Sequence, residues 1–197
     1  FIMKIKFLLS FLATILGLAV GFYFFRPHTF HGTVIQSPET SHDFTLTGIN
    51  GDVSLSDYRG KLVLLYFGYT FCPDICPDTL ANVGQALNQI GSKADDVQTI
   101  MISLDPQRDT PEKLAEYTAH FHPSFIGVTG TQEQLDAVAS LYGIFYQVNE
   151  SSEATGYLID HTATLLVIDR EGFLKLVFPF GVTVDEIADD LKYMLRQ

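Results

Sequence analysis

Apolar side chains run together in "KLVLLYFGYT" (residues 61–70) with almost no polar break, which predicts a strand buried on both faces. "VQTIMISLD" (97–105) predicts a second such strand, and "SFIGVTG" (124–130) a shorter third. Between them the rhythm changes. Leu80, Val83, Leu87 and Ile90 recur at helical spacing, with Gly91 as a stop. "TPEKLAEYTAHF" opens a second helix, with Thr110 as N-cap and Pro111 in its first turn. "TQEQLDAVASLYG" reads as a third, capped by Thr131. "HDFTLTGINGDVSLSDYRG" alternates apolar and polar residues around Asn50-Gly51 and predicts a hairpin. "TATLLVIDREGFLKLVFPF" is a second hairpin turning at Arg170–Gly172, and "TVDEIADDLKYML" a final amphipathic helix.

The order ββ, then β-α-β-α-β-α-β-β-α, joins a parallel core to an antiparallel end. It predicts a thioredoxin-like α/β fold: a central mixed sheet, helices on both faces, and an extra N-terminal hairpin. Ahead of it, nineteen uncharged residues from Phe7 to Phe25 reach about 28 Å as a helix, near the thickness of bilayer hydrocarbon. Lys4 and Lys6 precede this run, and Phe22, Tyr23, Phe24 and Phe25 end it as an aromatic belt. A single-pass anchor is expected, with everything after Arg26 exported. A cleavable signal peptide is the alternative, but the apolar run continues past its candidate small-residue site, Ala19-Val20-Gly21. Nothing before the run resembles an Arg- and Ser-rich transit peptide, so a bacterial inner membrane with the domain in the periplasm is the expected location. The expected organisation is an anchor (1–26), a juxtamembrane linker (27–40) and a folded domain (41–197).

Charge narrows the partners. The chain carries a net charge of −11, and the anchor holds Lys4, Lys6 and Arg26 but no acid. The remaining nine basic side chains therefore face 23 acidic ones, a net of −14. Such a surface repels nucleic acid. His28 and His31 fall in the linker and read as solvated, as does His42. His120 and His122, in "AHFHPS", read as helix-end capping groups rather than ligands.

Both cysteines lie in "GYTFCPDICPDTL", Cys72 and Cys76, with three residues between them where thiol oxidoreductases usually have two. The pair sits at the C-terminal end of a predicted central strand, the edge where α/β sheets place their chemistry. Pro77 suits a first helical turn, which makes Cys76 the expected N-cap, with amides and helix dipole favouring a thiolate there. A plain disulfide is one use of such a pair in an exported domain. A metal needs a further ligand, and His161 is the candidate. It stands in "LIDHTATLLVID", just before a strand that in thioredoxin-like folds passes over the cysteine loop. Ala163 occupies the place where redox members carry a cis-proline. Two sulfurs and an imidazole form a soft set suited to copper and plausible for zinc. Asp160 is a candidate to orient the imidazole.

"GYTFCPDICPDTL", "SLDPQRDTPEKL" and "YLIDHTATLLVID", in this order behind one N-terminal anchor, resemble the Sco (SenC/PrrC-type) family of copper proteins over about residues 40–197. The resemblance implies that Cys72, Cys76 and His161 are copper ligands, for Cu(I) or Cu(II), with no departure from the family's ligand pattern. It further implies a metallochaperone that assists assembly of the dinuclear copper site in cytochrome c oxidase subunit II or a similar copper-receiving protein. Whether such a protein delivers copper or reduces the client's cysteines stays open. In the second case Cys72 and Cys76 are a redox-active pair and the protein is a thiol–disulfide oxidoreductase. Asp105, Arg108 and Asp109 read as turn and cap chemistry with a local ion pair, and alternatively as client contacts.

Overall fold

The computed structural model describes residues 28–150 and 156–197, together with Phe11, Thr14, Ile15 and Gly17. The expected anchor, Phe7 to Phe25, lies almost wholly outside the described residues. Among those described, no helix is long and apolar enough to cross a membrane.

Among the described residues, ten strands and four α-helices follow in order: β1 (Thr33–Val34), β2 (Thr45–Gly48), β3 (Gly51–Ser54), β4 (Leu62–Gly68), α1 (Ile75–Ile90), β5 (Val97–Ser103), α2 (Pro111–Ala119), β6 (Ile126–Val128), α3 (Gln132–Leu141), β7 (Tyr146–Glu150), β8 (Tyr157–His161), β9 (Leu165–Ile168), β10 (Leu174–Phe178) and α4 (Val184–Met194). Six strands form the central sheet in the order β1-β10-β9-β4-β5-β6. β4, β5 and β6 run parallel through crossovers α1 and α2, while β9 returns antiparallel beside β4.

All seven residues of β4 are buried, as their uninterrupted apolar run predicts. The pleat sends Leu62, Leu64 and Tyr66 to one face, where α1, α2 and α4 pack. Val63, Leu65 and Phe67 go to the other, under α3 and the β2–β3 hairpin. Each leucine buried in this way stabilises by about 2 kcal/mol. The two-layered cover is why the strand carries no polar alternation.

Local chemistry sets the boundaries. Thr110, Thr131 and Thr183 each accept a hydrogen bond from the amide three residues on, capping α2, α3 and α4. Gly51 closes the first hairpin at φ 113°, a left-handed conformation that suits glycine.

Two features differ from the sequence reading. Residues 28–35 are not a free linker: β1 pairs with β10, and Ile35 N–H donates to the Lys175 carbonyl at 2.8 Å. β7 and β8 form a separate two-stranded ribbon with Tyr146 opposite His161. β1 is two residues long, too short for a period to register. In the ribbon the Tyr146/Val148 and Tyr157/Ile159 alternations are split by a polar stretch.

Candidate metal centre

β4 ends at Gly68, and the chain loops through Cys72 before α1 begins. The helix starts earlier than expected: Asp74 is the N-cap, so Cys76 lies inside the first turn and Pro77 follows it. The proline lacks only an N–H that would have no helical partner there. Cys76, not capping the helix, points into the core and is fully buried. Its amide instead donates to Cys72 Sγ at 3.4 Å.

The sulfurs of Cys72 and Cys76 and a ring nitrogen of His161 lie within 4.8 Å of one another. Cys76 Sγ and His161 Nε2 are 3.4 Å apart. His161 Nδ1 is 3.3 Å from the Thr162 carbonyl oxygen. A carbonyl only accepts, so Nδ1 is the donor of that pair and Nε2 faces the sulfurs. Tyr66 and Tyr69 meet the imidazole edge-on, at centroid distances of 6.2 and 6.1 Å. Tyr69 also fixes β8 directly, because its hydroxyl accepts from Ile159 N–H at 3.1 Å. Asp160 does not orient the imidazole; it accepts from the Asn149 side chain across the ribbon.

The two sulfurs are not equivalent. Cys72 is half-buried, and a hydrogen bond from the Cys76 thiol, followed by the amides of Asp74 and Cys76, pulls its pKa down to about 4. Cys76 is pushed the other way, first by the hydrogen bond it gives to Cys72 and then by burial. One sulfur is therefore a thiolate and the other its proton donor. Close packing leaves no slack. A methyl group added at Gly68 would sit 2.8 Å from Cys76 Sγ and 3.0 Å from the Tyr66 ring.

The "DPQRDTP" turn follows β5 and, because β5 is parallel to β4, lies at the same edge. Asp109 is buried and accepts from Thr70 N–H at 2.9 Å, Thr70 Oγ1 at 2.5 Å and Ser103 Oγ at 2.7 Å. Thr70 is two residues before Cys72, so this carboxylate pins the cysteine loop to β5. Asp105 and Arg108 do form the expected local ion pair, at 2.5 Å. Arg108 also donates to the Tyr157 carbonyl at 3.0 Å and lies 3.6 Å from that ring's centroid and 4.8 Å from that of Phe71. It thereby joins the loop bearing Cys72 to the strand bearing His161. Sequence spacing flagged this turn but not its reach, since its contacts span about forty to fifty residues of chain.

The remaining histidines take other roles. His120 Nδ1 meets the Glu116 carbonyl at 2.7 Å, and His122 Nδ1 the Ser124 hydroxyl at 2.8 Å, both at the end of α2. The His42 carbonyl accepts from Tyr142. His28 and His31 face the acidic side chains of α4 rather than solvent alone.

Comparison with known proteins places the chain in a family. A sequence profile described as SCO1/SenC matches residues 33–196. An "SCO2-like protein" of Rickettsia felis is 38% identical over 152 residues, 76% of this chain and 74% of that protein. The solution structure of apo Sco1 from Thermus thermophilus superposes with TM-score 0.76 at 41% identity, covering 84% of this chain and 97% of that one. ScoI of Bradyrhizobium japonicum with copper bound gives 0.72 at 35% identity, covering 79% and 99%.

Proposed function

Because the chain belongs to the SCO1/SenC family, we propose that it is a membrane-tethered, periplasmic copper metallochaperone. In this reading Cys72 Sγ, Cys76 Sγ and His161 Nε2 hold copper as cargo for the dinuclear site of cytochrome c oxidase subunit II. The observation that carries the reading is the convergence of those three soft donors at one sheet edge, within 4.8 Å of one another. The copper-bound Bradyrhizobium structure supports the choice of metal.

Each residue has a task in this scheme. Cys72 meets the incoming ion already ionised, so binding displaces only the Cys76 proton. His161, its Nδ1–H held by the Thr162 carbonyl, presents Nε2 to the ion. The imidazole suits Cu(II), while the paired sulfurs suit Cu(I). Ligand exchange then moves the ion to a client, with no general acid or base needed for the transfer.

The proposal is tested by competition titration with a chromophoric chelator on anaerobically purified protein. One copper per chain is expected. His161→Ala should keep the fold and both thiols yet lose Cu(II) affinity by at least about tenfold, roughly 1.4 kcal/mol, with a smaller loss for Cu(I). Unchanged binding of both ions would remove His161 from the site. The proposed topology predicts that a reporter active only in the cytoplasm, fused after Gln197, stays silent; a strong signal would reverse it.

One observation favours a second reading. A half-exposed Cys72 thiolate beside the buried Cys76 thiol matches an attacking and a resolving sulfur. As a reductase, Cys72 would attack a client disulfide to form a mixed disulfide, and Cys76 would resolve it. Two electrons pass to the client, leaving a Cys72–Cys76 disulfide. His161→Ala separates the readings: a reductase keeps most of its disulfide-reducing activity, and a chaperone loses copper first.

A further inference from the structure

Beyond Arg26 the chain carries nine basic side chains, and the fold sorts most of them to one end. Arg59 and Lys61 lead into β4, Lys93 follows α1, Arg170 and Lys175 flank the β9–β10 turn, and Lys192 and Arg196 close α4. β4 begins, and α1 and α4 end, at the sheet edge opposite the metal centre, so these seven share that edge. Arg108 and Lys113 remain at the metal edge, each spent on a buried carboxylate, Asp105 at 2.5 Å and Asp109 at 3.3 Å. Exposed acids such as Asp74, Asp78, Asp160 and Asp185 also lie at the metal edge. The far edge holds acids too, with Arg170 3.7 Å from Asp96 and Lys175 3.3 Å from Asp169, and is close to neutral. The domain is therefore polarised, with its negative excess on the side of the metal centre.

The chain leaves the predicted anchor beside that far edge. His28 stacks on Tyr193, near the end of α4, at a centroid distance of 4.2 Å, and its Nε2–H donates to Asp190 at 2.8 Å. Phe30 meets both rings edge-on, at 4.7 and 5.3 Å. From Phe25, where the predicted anchor ends, to His28 is three residues, about 11 Å at full extension. Such a tether leaves no slack, and it holds the end of α4 at the depth of the lipid headgroups. Phe30, Arg170, Lys175, Tyr193 and Met194 line a groove at this place, and the Arg196 guanidinium lies 5.5 Å over the Tyr193 ring. Tyrosine, lysine and arginine suit the headgroup layer, because each joins an apolar body to a polar tip. Leu62, the first residue of β4, lines the same groove, whereas the cysteine loop leaves the strand's last residue. At about 3.3 Å per residue, the strand sets the two ends of the domain roughly 20 Å apart.

We propose that this edge, centred on Arg170, Lys175, Lys192 and Arg196, is a membrane-apposed surface that rests on anionic phospholipid headgroups. The inference depends on the tethered reading given above. Attraction at the basic edge and repulsion of the acidic one act in the same sense, turning the metal centre away from the bilayer. A copper-receiving partner in the same membrane then meets the site at a fixed height, instead of a domain tumbling on a loose linker.

The test reconstitutes the full chain in vesicles of phosphatidylcholine alone, and of phosphatidylcholine with phosphatidylglycerol. Acetylation by a neutral amine reagent is then read lysine by lysine by mass spectrometry. Lys175 and Lys113 are a matched pair, with side chains 46% and 45% exposed and each 3.3 Å from an aspartate. Their rate ratio in detergent is the baseline. In the anionic vesicles Lys175 should slow by about threefold or more relative to Lys113, and the effect should shrink in phosphatidylcholine and in high salt. Lys192→Gln combined with Arg196→Gln should return Lys175 toward its baseline. The comparison between vesicles uses the unaltered chain, so it stands whatever the double variant does to folding. A ratio unchanged from detergent, in chain that stays with the anionic vesicles through a carbonate wash, would overturn the surface and leave the tether intact. Release of the chain by carbonate would overturn the tether, and this surface with it.

Discussion

Cys72 and Cys76 are the same residue type four positions apart, and their surroundings give them opposite chemistry. Cys72 collects donors: the Cys76 thiol and the amides of Asp74 and Cys76. Cys76, sealed in the core beneath Gly68, keeps its proton. The expected consequence is a pH-independent alkylation rate at Cys72 between pH 6 and 8, falling only as pH drops through about 4. An ordinary thiol would gain roughly tenfold per pH unit in that range, and such a climb would show that the thiolate is not held. The sign for stability follows from the same shift. A thiolate whose pKa is depressed by folding stabilises the fold fully above its unfolded value, and that contribution is lost as pH falls through the folded one.

At the scale of elements, the site stands where three chain segments meet, and polar contacts hold them in register. Asp109, just before α2, ties Thr70 of the cysteine loop to Ser103 at the end of β5. Arg108 ties Phe71 to Tyr157 of β8. Neither is a ligand in the proposed scheme; both position the loops that carry the ligands. Replacing Asp109 by alanine leaves the Thr70 and Ser103 donors without their acceptor, at a cost of about 1–3 kcal/mol. Denaturant midpoints should fall accordingly. Cys76 should also become reactive toward a bulky disulfide reagent that does not reach it in the parent protein. A variant of unchanged stability, with Cys76 still protected, would show that the loop is held by other contacts.

For the whole molecule, the question is where the folded unit begins. Asp190 is buried against His28 and the amides of His31 and Gly32, and β1 adds an edge strand to the sheet. A fragment beginning at residue 41 lacks all of these partners, whereas one beginning at residue 27 keeps them. Stripping the partners from a buried carboxylate costs about 2–4 kcal/mol, after allowing for the water the shorter fragment admits. The melting point of the shorter fragment should therefore lie roughly 5–15 °C lower. Equal melting points would mean that residues 28–40 contribute little, and that the domain starts where its first hairpin does.

The sequence by itself determined the main elements and singled out Cys72, Cys76 and His161 as candidates. Short continuous apolar runs bounded by turn residues read as strands covered on both sides, caps such as Thr110 and Thr131 act within one turn, and C-P-D-x-C-P with D-H-T is a specific pattern. Those signals are local, or pair with a known family, so they survive without a fold. Tertiary structure alone decided the rest. It set which cysteine is the thiolate, because burial and hydrogen-bond donors depend on what packs against each sulfur. It gave Asp109 and Arg108 their reach, because their partners are distant in the chain. It also drew His28 out of an apparent linker, because the charge it answers, Asp190, lies 162 residues away in sequence and inside the protein.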